Sequence, residues 1–229
     1  MLHARIAYVL NEIKWPFAIC CVLLLPASCM QLYLQLKPLF HTLSYRSPFF
    51  HGFYCFFILL AVFSHFIFNL FMTFEHEFNH GVFAALTGNK VTALKVFENG
   101  GKLEYQGTSN WLISLAPYFF PTVALAVGIF TEFWDPKWKW LAEFCLGASI
   151  AYQLFSTLVE TELSQPDLIE SGIPFSLMTL PFLNVFSYSL LTAYLTGGFH
   201  GIWRTLQALF ASPLNPSLSA LKWLIKHVF

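Results

Sequence analysis

Charge is what this sequence has least of. Of its 229 residues, 10% are Asp, Glu, Lys or Arg, while 57% are hydrophobic and 27 are Phe. Soluble domains carry about 25% charged residues. Asp occurs only at 135 and 167, and no charged residue occurs from Ser47 to Phe74 or from Tyr105 to Thr131. The natural solvent of such a chain is a bilayer, and a sizeable extramembrane domain is not expected. The formal net charge of zero gives no basis for nucleic-acid binding. Cys20, Cys21, Cys29, Cys55 and Cys145 sit in apolar stretches without metal-like spacing, so they read as packing residues rather than a disulfide framework. A cleavable signal peptide is not expected, because Asn11, Glu12 and Lys14 interrupt the apolar residues of MLHARIAYVLNEIKW. Repeats and low-complexity tracts are lacking too. One polytopic membrane domain over 1–229 is the expectation.

What is present is a series of apolar runs, each near the roughly 20 residues that cross a hydrocarbon core. The fold expected is an all-α integral membrane protein with about five transmembrane helices. The first lies near 15–35, kinked at Pro26. The second, near 50–72, continues through a polar cluster to about 87, where Gly88-Asn89 supplies a helix stop. The third lies near 110–130, and Pro117 and Pro121 predict that it is bent or broken. The fourth, near 138–159, begins with the interfacial anchors Trp138, Lys139 and Trp140. The fifth lies near 174–197. Beyond Gly197-Gly198, amphipathic pieces at 199–211 and 216–228 are expected along the interface. Residues 90–107 differ: VTALKVF and KLEY flank Glu98-Asn99-Gly100-Gly101, and Asn-Gly predicts a short membrane-associated β-hairpin.

The second run ends in FEHEFNHG, which brings two Glu, two His and an Asn into six residues. His76-Glu77-Phe78-Asn79-His80 is HExxH. Positions i and i+4 of a helix share one face, so His76 and His80 can address one ion. Two imidazoles and one carboxylate form a zinc site whose fourth position is left to water. Zinc lowers the pKa of that water, and Glu77 stands where it can take the proton and later give it to a leaving amine. Polar residues at membrane depth are costly and mark a function by default. The bland reading is a helix end among headgroups.

A third ligand must come from elsewhere. Asp135, in FWDPKW, reads as an interfacial turn. Asp167, in SQPDLIESG between the fourth and fifth spans, is favoured, with Glu160 and Glu162 as competitors. On the fourth span Gln153, Ser156 or Thr157, and Glu160 fall at helical spacing. That stripe lines a water path, supports the metal ligands from behind, or joins helices.

HExxH at the end of a membrane helix, small residues after it (GVFAALTG), a hairpin, a Pro-containing span and a distal Asp-x-x-x-x-Gly together resemble the site-2-protease-like intramembrane zinc metallopeptidases. The likeness covers roughly 50–197, and HEFNH is its most specific element. It implies one Zn2+ per chain held by His76, His80 and Asp167, with Glu77 as general base. It also implies a helical membrane core, a multi-pass location, and membrane-protein substrates cut in or near their transmembrane segments. Two residues depart from the family pattern. Asn79 stands where Gly often precedes the second His, and Pro166-Asp167 lacks the adjacent Gly. Asn79, Gln153 and Glu160 are candidates for supporting the ligands. A hairpin edge, at Leu94 and Val96, is a candidate for holding an unwound substrate by strand addition. Two alternatives stay open: a metallopeptidase with Glu160 or Glu162 as third ligand acting on soluble peptides, and an inactive membrane scaffold of the same fold.

Overall fold

The computed structural model describes residues 2–42, 46–62, 65–97, 100–131 and 133–211. The helix expected at 216–228 and the hairpin turn at 98–99 lie outside them. The chain divides into two compact units, 1–14 with 45–173 and 15–44 with 174–229.

The second unit is built on two long helices, α2 (Lys14–Thr42) and α9 (Ile173–Ala211). Trp15 meets Phe175 edge to face at 6.2 Å, and Gln35 Nε2 donates to Thr205 Oγ1 at 2.8 Å. Such bonds are the polar complement to small-residue packing between membrane helices. At Gly198 the backbone of α9 turns to φ 57°, ψ −149°. The sequence predicts a span ending there and a further helical piece at 199–211, and the helix does break at Gly198 and resume through 199–211.

The first unit holds the polar cluster. It begins with α1 (Leu2–Glu12) and continues with α3 (Pro48–Val62) and α4 (His65–Leu86). An antiparallel hairpin follows, β1 (Lys90–Phe97) and β2 (Gly100–Gln106). Then come α5 (Trp111–Leu115), a 3-10 turn (Ala116–Tyr118), α6 (Thr122–Thr131), α7 (Lys139–Glu160) and α8 (Pro166–Ser171).

Among the described residues three helices are long and apolar enough to cross a membrane: Lys14–Lys37, Pro136–Glu160 and Ile173–Leu209. A fourth counts if the pair Trp111–Tyr118 and Thr122–Thr131, bent by 69°, is one broken span. That bend falls at the expected place, between Pro117 and Pro121. The expected helix over 50–87 is corrected to two helices, α3 and α4, and the 15 residues of α3 fall short of a full crossing. An apolar run fixes the solvent of a segment, not where its axis breaks.

α4 ends as the sequence predicts. Gly88 adopts φ +80°, its amide returns to Ala85 O at 3.0 Å, and the Asn89 amide reaches Ala84 O at 2.9 Å. This pair of bonds satisfies carbonyls that the helix end would otherwise orphan. The hairpin then starts at once.

The core behind α4 gathers Phe56, Met72, Ala151 and Tyr152, with Phe53, Phe68, Val123 and Phe155 around them. α3 and α7 approach closely through two reciprocal glycines. A Cβ on Gly52 would overlap the carbonyl oxygen of Phe144, and one on Gly147 would overlap that of Phe49. Backbone carbonyls cannot swing aside as side-chain tips can. Gly52→Val and Gly147→Val are therefore each expected to destabilise the protein by about 1–3 kcal/mol, the usual cost of overpacking. Thermal unfolding in detergent checks this.

Candidate metal centre

α4 carries His76 and His80 one turn apart on one face, with ring centroids 4.8 Å apart. α8, entered through Gln165-Pro166, brings Asp167 to them from 91 positions away. Asp167 Oδ2 stands 3.4 Å from His76 Nε2 and 3.4 Å from His80 Nε2. A tetrahedron built on zinc bonds of about 2.0–2.1 Å has edges of roughly 3.3–3.4 Å. Both imidazole–carboxylate separations therefore match the edge of a zinc polyhedron. The ligand atoms of all three side chains lie within 4.8 Å of one another.

Each of the three groups has a partner behind it. His80 Nδ1 donates to the carbonyl oxygen of Ile113 at 2.8 Å, which turns Nε2 toward the site. His76 Nδ1 faces Glu160 Oε1 at 3.6 Å, and Ser156 Oγ donates to the other oxygen of Glu160 at 3.1 Å. Asp167 Oδ2 accepts from the Tyr118 hydroxyl at 3.0 Å. Such outer partners fix tautomer and orientation. Burial disfavours ionisation of Asp167, yet hydrogen bonds from His76 and His80 outweigh it and hold the carboxyl below the usual carboxylate range. Asp167 is thus kept in the anionic form that a metal needs.

Glu77 projects between the site and the hairpin. The backbone of Leu103 lies beside its carboxylate. Gly101 is required beside it, because a Cβ there would overlap Glu77 Cγ. A cavity of about 590 Å³ opens over the group, lined by His76, Glu77, His80 and Asp167 and walled by Gly100–Leu103 of β2. That volume falls within the range of small-molecule and peptide clefts.

Residues 50–162 match the family model described as Peptidase M50B-like. Over that stretch the chain is similar to the Peptidase M50B-like family. This is consistent with the site-2-protease-like family and points to a membrane metallopeptidase. The M50B-like match spans α3 to α7, so it includes HEFNH, the hairpin and the broken span, and it ends before Asp167. The place of Asp167 at the site therefore rests on geometry alone. No curated protein and no solved structure matches the chain.

The other sequence candidates within and near the M50B-like domain fall in different places. Glu160 stands behind His76, as above. Glu162 is exposed and accepts from Ser164 Oγ at 3.3 Å, away from the imidazoles. Gln153 is buried on α7 and makes no hydrogen bond to the three groups. Asn79 is 1% exposed and turns away from them to bond the Thr122 hydroxyl. It thus meets the start of α6, while Glu75 accepts from the Tyr152 hydroxyl of α7 at 2.6 Å. Leu94 and Val96 lie on β1 and are not among the residues that line the cavity, while the strand beside Glu77 is β2. Tyr118, Ile113 and Gly101 carry no motif, and the proline-flanked APYFFP was the one sign near them.

Proposed function

We propose that the protein is a zinc-dependent, multi-pass intramembrane endopeptidase that hydrolyses peptide bonds in or near transmembrane segments of other membrane proteins. The observation that carries this reading is the convergence of His76, His80 and Asp167 beside Glu77 at the floor of a cleft walled by a strand edge. Zinc, when bound there, supplies the Lewis acidity that activates a water and polarises the scissile carbonyl. Glu77 takes a proton from the attacking water as its oxygen bonds to the carbonyl carbon. It then passes that proton to the amide nitrogen as the C–N bond breaks.

A transmembrane helix satisfies its own backbone, so a substrate must unwind before it is cut. The outer edge of β2, beside Glu77, is where the unwound segment adds as a strand. Gly101→Val is expected to push Glu77 off that position. Turnover should fall at least about tenfold, the scale set by misplacing a general base, while zinc content stays at the wild-type level. Elemental analysis beside a cleavage assay checks both halves.

The direct test reconstitutes the protein in liposomes with a panel of single-span peptides and offers the same sequences as soluble peptides. Chelator-sensitive cuts within or beside the spans support the reading. Cleavage confined to soluble peptides would replace it with a surface-acting metallopeptidase.

A further inference from the structure

We propose that Tyr118 is a positioning residue of the metal centre, holding the ligating oxygen of Asp167 toward the two imidazoles. The inference rests on the zinc reading above and assigns a role that neither HExxH nor the distal Asp contains. Asp167 sits on a helix of six residues, between the irregular stretch 161–165 and Gly172. A helix that short has little stability of its own. Its carboxylate also has two oxygens and a free terminal torsion, so something outside α8 must choose which oxygen faces the histidines.

Tyr118 makes that choice. Its hydroxyl donates at 3.0 Å to Oδ2, the same oxygen that stands 3.4 Å from each imidazole nitrogen. One lone pair of Oδ2 is thereby occupied and the other is left toward the histidines. The ring lies edge to face on His76, with centroids 5.3 Å apart at 90°. Tyr118 is 0% exposed and takes no part in lining the cleft, so it touches no substrate. It acts through Asp167.

The tyrosine is itself held in place. It sits at the elbow of the broken span, and the next helix, α6, is tied at its start to Asn79 of α4. The helix that offers two ligands thus also holds the start of the helix that follows the tyrosine.

Tyr118→Phe removes the hydroxyl and keeps the ring. Purified in detergent, the variant is expected to bind zinc about 10–100-fold more weakly in chelator competition, the usual cost of losing such a partner. The visible spectrum of its cobalt-substituted form should shift, and the unfolding midpoint of the metal-free protein should match wild type. In an Asp167→Asn background the same substitution should cost nothing further, because the anion it positions is gone. Unchanged affinity and cobalt spectrum in Tyr118→Phe would overturn the role while leaving the zinc reading intact. So would a loss that persists in the Asp167→Asn background, which would assign the hydroxyl to packing. A wild-type protein that binds neither metal would overturn both.

Discussion

Glu77→Gln is expected to leave zinc bound at wild-type stoichiometry and to lower cleavage by about 10²–10⁴-fold, the contribution of a positioned general base. The carboxamide matches the carboxylate in shape, so it fills the space that Gly101 leaves for Glu77. It cannot take a proton from water. Glu77 is not among the three groups that form the candidate metal site, so metal content has no reason to change. Paired measurement of zinc and turnover therefore separates a hydrolase from a scaffold that merely keeps the motif. A Glu77→Gln protein that retained the cellular function of the wild type would sink the enzymatic reading.

The second large effect concerns the third ligand. Asp167→Ala is expected to reduce zinc from about one per chain to a trace, as is His80→Ala, because two remaining ligands hold the ion poorly. Glu160→Gln should weaken binding by about 10–100-fold, since Glu160 faces His76 Nδ1 from behind. Glu162→Gln should change nothing, its carboxylate being exposed and turned to Ser164. Elemental analysis of the four purified variants gives the order directly. Zinc retained in Asp167→Ala but lost in Glu160→Gln would move the metal toward α7.

The limits of the sequence show in particular residues. HEFNH was legible because helical spacing alone places both imidazoles on one face. The hairpin was legible from its Asn-Gly turn, and the 69° bend from Pro117 and Pro121. Asp167 could be singled out because Asp is so scarce here, but nothing local says that α8 folds back 91 positions to His76. The break between α3 and α4 was hidden because both helices lie in one uncharged run. That β2 walls the cleft was not legible because β-alternation assigns faces, while the choice of edge depends on how the hairpin docks on α4. Asn79 looked like a departure at the metal, but its side chain turns to the start of α6. Its partner is a hydroxyl 43 positions away. Tyr118 and the Ile113 carbonyl were beyond reach for the same reason: a buried tyrosine or a backbone oxygen has no signature until the chain is closed.

The grip of α4 on the start of α6 bears on how the chain enters a bilayer. A half-helix that begins at Pro121 exposes amides with no partner in its own turn. A helix bearing Glu75, His76, Glu77, Asn79 and His80 is as poorly suited to lipid. Asn79 ties them by taking the Thr122 hydroxyl. Neither is suited to meet lipid alone, so the two are expected to enter the bilayer together, after the intervening hairpin has been made.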